Sequence, residues 1–102
     1  MRAASAPPSG LALAAEARHA ASGRVMRLFT DAPGVQLYIG GFLDAEPGKG
    51  GAVYPRHGGF CLETQLFPDG ANQAAAGRAF PSPVLRPGEQ YTHTMVTQLY
   101  AE

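Results

Sequence analysis

One carboxylate in this sequence, Glu63, lies where a strand could hold it for acid–base chemistry. In the alternating run 60–66, one face carries Phe60, Leu62 and Leu66 and the other carries Cys61, Glu63 and Gln65. Glycines precede this run and a Pro-Asp-Gly turn follows it, so the carboxylate would stand on a short, stiff strand near a rim. It could act as a general base, although most acids on a half-solvated strand are simply solvated surface groups.

A second group of residues has the chemistry to bind a sugar ring. Residues 35–39 are rich in β-forming side chains, and Gln36 and Tyr38 share one face of that run. Glu63 could accept hydrogen bonds, and Gln36 could both donate and accept them. Tyr38 or Phe42 could supply the apolar platform against which a sugar ring packs.

Metal binding and nucleophilic catalysis find little support in the sequence. The three histidines and the one cysteine fit none of the local ligand spacings of zinc sites; they are His19, His57, His93 and Cys61. No Gly-x-Ser-x-Gly motif occurs, and Cys61 has no basic neighbour in its run to favour the thiolate. We therefore expect no metal site, and we expect Cys61 to pack as a small apolar residue.

Alternating apolar and polar residues predict the strands that would position these side chains. The predicted strands cover 11–18, 24–30, 35–39, 60–66 and 90–100. The alanine-rich run 11–18 would equally allow a short helix, but the turn at 20–23 favours a hairpin with the next strand. No helical apolar stripe with caps occurs, so we expect an all-β fold of antiparallel, sandwich-like sheets.

The segments between these strands predict turns and loops. Seven glycines lie between positions 40 and 59, together with Pro47 and Pro55, and they predict a long irregular loop. Residues 71–79 are polar and rich in alanine, which predicts at most one helical turn. The prolines that follow keep 80–83 extended at a rim.

Length, charge and cysteine content restrict the class of protein. A chain of 102 residues allows one domain with a thin core, and we expect a flexible lead-in over 1–10 and a domain over 11–102. Eight Lys and Arg balance eight Asp and Glu, which disfavours nucleic acid and anionic lipid as partners. One cysteine, no signal-peptide core and no apolar run of membrane-spanning length predict a cytoplasmic chain without a membrane partner.

Five groups of residues occur in an order that a known family shares. They are 30–38, 41–44, 58–65, 67–69 with Asn72, and 85–89 with Tyr91. Together they resemble the C-terminal part of the aldose 1-epimerases, the galactose mutarotases, from about residue 11 to residue 102. The resemblance implies a large antiparallel β-sandwich that interconverts the α and β anomers of aldohexoses, such as galactose and glucose, without a cofactor.

The resemblance assigns roles to two residues of this chain. Glu63 matches the general base that removes the proton from the C1 hydroxyl, and Gln36 matches a glutamine that contacts the sugar. The family's general-acid histidine, a second histidine, a sugar-binding aspartate and an Asn-Arg pair would precede residue 1, and none of the three histidines here lies in their motifs. The resemblance thus implies a C-terminal fragment with low activity by itself.

Two departures from the family pattern and one alternative function accompany this interpretation. Gly41 stands where asparagine is usual, and 74–79 resembles an inserted or altered alanine-rich stretch. The alternative is a non-catalytic β module that binds carbohydrate or assembles through open sheet edges, including self-association. Oligomeric state tests the assembly hypothesis, because a monomer without edge pairing would count against it.

Overall fold

The computed structural model describes residues 7–102, and the described chain is built mainly of antiparallel strands. The elements are β1 (Ala12–His19), β2 (Arg24–Thr30), β3 (Gly34–Tyr38), β4 (Glu46–Pro47), β5 (Val53–Tyr54), β6 (Cys61–Gln65), the helix α1 (Gly70–Ala75) and β7 (Met95–Ala101). The predicted all-β class is confirmed. Residues 1–6 of the predicted lead-in lie outside the described residues.

The larger sheet has the strand order β1-β2-β7, with both pairs antiparallel. The predicted hairpin of the first two strands is confirmed, and the Ser22 amide donates to the His19 carbonyl at 3.2 Å in its turn. Gly23 completes that turn at a φ of 66°, and a Cβ there would lie 2.2 Å from the Glu102 carbonyl oxygen. The turn therefore requires glycine both for its conformation and for the close approach of the last residue.

The smaller sheet pairs β3 with β6, also antiparallel. Its register places Gln36 opposite Glu63 and Leu37 opposite Leu62. Because residues directly opposite each other in an antiparallel pair share a face, one face of this pair is polar and the other is apolar.

The core is centred on β2, the middle strand of the larger sheet. Val25, Leu28 and Phe29 are buried to between 2% and 4% exposure, and Thr30 is equally buried. Thr30 is satisfied locally, since its hydroxyl donates to the Thr94 carbonyl at 3.1 Å and accepts from the Ala32 amide at 3.0 Å. Within residues 7–102, the buried hydrophobic side chains thus come from the strand that has a neighbour on both sides.

An open cleft lies between the two sheets. It has a volume of about 700 Å³ and is lined by Ala15 and Ala17 of β1 and by the apolar residues Leu37, Ile39, Phe60 and Leu62. The radius of gyration of 17.6 Å exceeds the roughly 13 Å of a compact chain of this length. The apolar face of β3–β6 therefore lies towards the larger sheet without closing against it.

Three segments differ from the sequence predictions. The loop 40–59 contains the short ribbon β4–β5 and a 3-10 helix at Lys49–Gly51. Helix α1 has six residues, more than the single turn expected, because its alanines favour helix. Strand β7 begins at Met95 rather than at 90, because the Thr94 amide donates to the Asp31 carboxylate at 3.0 Å.

No helix within residues 7–102 has the length and apolar character needed to cross a lipid bilayer.

Candidate functional site

The two residues singled out in the sequence, Gln36 and Glu63, meet on the polar face of the β3–β6 pair. They occupy opposite positions in the ladder, and both side chains are exposed. Opposite residues of an antiparallel pair have Cβ atoms about 5 Å apart, so both side chains can reach one small ligand. The fold thus brings together two residues that are separated in the sequence by residues 37–62.

Aromatic side chains lie next to this pair. Tyr38 stands opposite Cys61, on the same face as Gln36 and Glu63. The ring of Phe42 stacks on Tyr38 with centroids 6.4 Å apart and planes inclined by 12°. The Phe42 amide donates to the Tyr38 hydroxyl at 3.2 Å, and Phe42 itself is 92% exposed. A flat apolar surface is therefore available beside the polar pair.

The Glu63 carboxylate has no hydrogen-bond or ion-pair partner among the side chains of residues 7–102. An unpaired, solvent-facing carboxylate can accept hydrogen bonds from ligand hydroxyls and can take a proton from one of them. The Glu63 carboxylate is therefore accessible to a ligand, and its role as a general base stays a prediction.

The histidines at 19 and 57 lie elsewhere. His57 bonds through Nδ1 to the Ile39 carbonyl at 2.9 Å and lines the cleft on the apolar side of β3–β6. His19 bonds to the Ser22 hydroxyl at 2.7 Å in the β1–β2 turn. Within the described structure, neither of them shares the face that carries Glu63.

The third histidine, His93, belongs to a hydrogen-bonded cluster that the sequence did not indicate. Its Nδ1 lies 2.8 Å from Oδ1 of Asp31, and its Nε2 lies 2.9 Å from the Thr64 hydroxyl. The pKa of Asp31 is lowered, first by the hydrogen bond from the Thr94 amide and then by the bond from His93. These residues are far apart in sequence, so no local spacing could have revealed the cluster.

Cys61 corrects one expectation from the sequence. It was expected to pack as a small apolar residue, but it is a free, exposed thiol. The reason is its position, because it lies on the outward face of β6 beside Glu63 rather than on the face that borders the cleft.

The donor groups of residues 7–102 do not gather around a cation. No group of three or more His, Cys, Asp or Glu side chains in this part of the chain could hold a metal ion.

Comparison with known proteins gives a consistent family match. The family model for aldose 1-epimerase matches residues 4–98. The human galactose mutarotase is 58% identical over 81 residues, which cover 78% of this chain. The mouse galactose mutarotase is 57% identical over 81 residues and the aldose 1-epimerase of Escherichia coli K12 is 35% identical over 79 residues, or 78% and 76% of this chain.

The matched region is a small part of these relatives. It represents 22% of the length of the human, mouse and bacterial proteins. The chain therefore spans about a fifth of the length of the curated relatives that it matches.

Proposed function

The chain belongs to the aldose 1-epimerase family, and from this premise we propose that Gln36 and Glu63 form the basic side of a site that interconverts the anomers of aldohexoses such as galactose and glucose. The observation that carries the proposal is the ladder register, which sets these two exposed side chains opposite each other. Relatives named galactose mutarotase and aldose 1-epimerase support the reaction class.

Glu63 acts as the general base in this proposal. Its carboxylate takes the proton of the C1 hydroxyl while the ring oxygen receives a proton, so the bond between C1 and the ring oxygen breaks and C1 becomes a carbonyl. Rotation about the C1–C2 bond presents the other face of the carbonyl. Reclosure returns the proton from Glu63 to the C1 oxygen, while the former ring oxygen, now a hydroxyl, gives its proton back to the acid that supplied it as it bonds to C1. The other anomer forms with no net change in atoms or electrons.

Gln36 and the aromatic pair orient the sugar. The Gln36 amide can donate to one sugar oxygen and accept from a second hydroxyl, which fixes the ring relative to Glu63. The stacked rings of Tyr38 and Phe42 offer an apolar surface for the C–H groups of the sugar. Both contributions act on positioning, while the proton transfer is assigned to Glu63.

None of the three histidines is assigned the role of general acid. The ring nitrogens of His93 are occupied by Asp31 and Thr64, and His57 borders the cleft on the opposite face. His19 lies at the β1–β2 turn. Because proton donation to the ring oxygen needs a separate group, we expect this chain by itself to accelerate mutarotation only weakly.

The experiment supplies that acid from solution. Freshly dissolved α-galactose is followed by polarimetry in imidazole buffers of constant pH and ionic strength, with and without the chain. Imidazolium can then protonate the ring oxygen while Glu63 removes the C1 proton. We expect an acceleration above the buffer rate that grows with imidazolium concentration and disappears in Glu63→Gln, an isosteric change that removes the base.

Glu46→Gln is the matched control, since Glu46 is an exposed carboxylate on β4, away from the β3–β6 ladder. This variant is expected to keep the acceleration of the parent chain. Equal rates for the parent chain and Glu63→Gln, at every imidazolium concentration, would contradict the role of Glu63. Loss of the acceleration in Glu46→Gln as well would show a general effect of charge.

A second candidate, a module that assembles with another copy of itself, is favoured by an edge of the larger sheet. The outer strand β1 has one strand partner within residues 7–102, so it presents a backbone edge there that could pair with another strand. We propose pairing of such edges between copies. Sedimentation equilibrium over a hundredfold range of concentration should show a dimer, and a strict monomer would exclude this mode of assembly.

We also propose a cytoplasmic location. The one cysteine of the chain, Cys61, is free and exposed, as is usual in a reducing compartment. Fractionation of the cells that make the protein tests this proposal, and recovery in an oxidising compartment would contradict it.

A further inference from the structure

The cluster around His93 joins three separate segments of the fold. Asp31 directly follows β2, His93 and Thr94 directly precede β7, and Thr64 lies within β6. The imidazole bonds to the carboxylate of Asp31 on one side and to the hydroxyl of Thr64 on the other. The backbone of Thr94 bonds to both oxygens of the same carboxylate, at 3.0 and 3.1 Å. The cluster is therefore a link between the larger sheet and the smaller one.

The attachment point on the smaller sheet adjoins the proposed base. Thr64 is the residue after Glu63, so its side chain lies on the opposite face of β6. Thr64 stands opposite Val35 and shares the inner face with Leu62, while Glu63 lies on the outer face with Gln36. A hydrogen bond that holds the Thr64 hydroxyl on the inner face therefore also restrains the adjoining backbone of Glu63, whose side chain lies on the outer face.

We propose that His93 is a positioning residue, which holds Glu63 in place opposite Gln36 through the Asp31–His93–Thr64 link. The inference rests on the proposed role of Glu63 as the base. The smaller sheet has few other restraints, because it contains two strands and an open cleft separates it from the larger sheet. A two-stranded pair is only marginally stable without such support.

The link is retained in both charge states of the imidazole. In the neutral ring, Nδ1–H donates to Asp31 and Nε2 accepts from the Thr64 hydroxyl; in the charged ring, both nitrogens donate. The side chain of His93 is 25% exposed, so it is partly shielded from competing water. His93 thus joins an anionic group to a neutral hydroxyl, a task for which its two separated ring nitrogens are suited.

Two substitutions remove the Thr64 half of the link in different ways. His93→Asn keeps a donor near the position of Nδ1 for Asp31 but has no group that reaches Thr64. Thr64→Val keeps the shape of the side chain but removes the hydroxyl. His19→Asn is the matched control, since His19 also bonds to a hydroxyl, that of Ser22, but lies in the β1–β2 turn.

Two measurements on the full chain report on Glu63 independently of catalysis. Amide hydrogen exchange of β6 should become about threefold to tenfold faster in His93→Asn and in Thr64→Val, as expected for one lost hydrogen bond, while exchange of β2 stays unchanged. Nuclear Overhauser contacts between the Gln36 side-chain amide and the Glu63 methylene protons should weaken in both variants. The double variant should be no worse than either single one, because both remove the same contact.

The outcomes separate this proposal from the proposed function. Unchanged β6 exchange and unchanged Gln36–Glu63 contacts in both variants would overturn the positioning role, as would equal acceleration of exchange in β2 and β6. If the imidazolium assay gives a rate that depends on Glu63, both variants should lower kcat and leave KM unchanged. An unaltered kcat in both variants would also overturn the positioning role of His93. Absence of any Glu63-dependent rate would refute the proposed function alone.

Discussion

The two sheets of this chain differ in how they are held together. In the larger sheet, β2 has a neighbour on each side, and it supplies the buried residues Val25, Leu28 and Phe29. In the smaller sheet, β3 and β6 have only each other within the described residues, and Leu37 remains 61% exposed. The candidate site is on the smaller sheet. The buried core and the candidate site thus lie on different sheets, and the His93 link connects them.

The largest expected effect comes from the core of the larger sheet. Phe29→Ala removes a side chain that is 4% exposed and should lower the free energy of unfolding by about 3–5 kcal/mol. Because domains are typically stable by only about 5–15 kcal/mol, this loss could leave the chain largely unfolded. Phe42→Ala, at a position 92% exposed, should change the free energy of unfolding by less than about 0.5 kcal/mol in urea titrations. Similar losses in the two variants would refute the contrast between the buried core of the larger sheet and the exposed aromatic surface at the candidate site.

A smaller effect is expected from the buried hydroxyl at the end of β2. Thr30→Val leaves the Ala32 amide without its bond to the hydroxyl and should cost about 1–3 kcal/mol in the free energy of unfolding. Thr97→Val on β7 is the control, because Thr97 is exposed and its change should be within about 0.5 kcal/mol. Thermal unfolding of both variants followed by circular dichroism measures the difference. Equal midpoints would mean that the Thr30 hydroxyl does not stabilise the turn at 31–34.

The next effect is the pH dependence of the free energy of unfolding, to which Asp31 contributes through the link between the two sheets. The pKa of Asp31 is lower in the folded chain than its ordinary value, because the Thr94 amide and His93 bond to its carboxylate. A carboxyl of this kind stabilises the fold fully above its unfolded pKa of about 4, and the stabilisation is lost as pH falls through the lower folded value. Asp31→Asn should therefore make the loss of stability below about pH 4 less steep.

Urea midpoints measured between about pH 2 and pH 7 test this effect of Asp31. Asp44→Asn is the control, since Asp44 lies in the loop before β4 and forms no side-chain hydrogen bond within residues 7–102. Its pH profile should follow that of the parent chain. A profile for Asp31→Asn that is parallel to the parent at low pH would show that the cluster does not contribute to acid stability.

The smallest effect is expected from the ion pairs of Glu16 on β1. Glu16 forms ion pairs with Arg18 at 2.7 Å and with Arg27 at 2.6 Å, and these pairs lower the pKa of Glu16. Exposed ion pairs contribute little because water and salt screen them. Glu16→Gln should therefore shift the midpoint of thermal unfolding slightly at low salt and not measurably at 1 M sodium chloride. A large, salt-independent loss would show that the ion pairs stabilise the sheet in a way that their exposure does not suggest.

Much of the fold could be predicted from local patterns. The alternation at 24–30 predicted β2 with its observed bounds, and the turn residues at 20–23 predicted the hairpin. The predicted strand boundaries were less accurate where a side chain bonds to a backbone group that is distant in sequence. Residues 90–94 alternate like the rest of the last strand, but the Asp31 carboxylate binds the Thr94 amide and β7 begins at Met95.

The faces that carry Glu63 and Gln36 were predictable from the sequence, but the surroundings of these residues were not predictable in full. Alternation placed Glu63 and Gln36 each on a polar face, and the family resemblance gave them roles. The exposure of Cys61 and the cluster of Asp31, Thr64 and His93 were not foreseen. The cluster joins segments that are distant in sequence, and no local spacing carries that information. The alternation at 60–66 had already placed Cys61 on the face of Glu63, and its exposure follows from that face.

The sequence by itself determined the all-β class, the face on which each strand residue lies, and the family to which the motifs point. Only the tertiary structure decided that β3 pairs with β6, that Gln36 stands opposite Glu63, and that His93 joins the two sheets. The physical reason is that the two-residue period of a strand fixes the direction of each side chain locally. The choice of partner strand depends on hydrogen bonds and packing between distant residues, which form only when the whole chain folds.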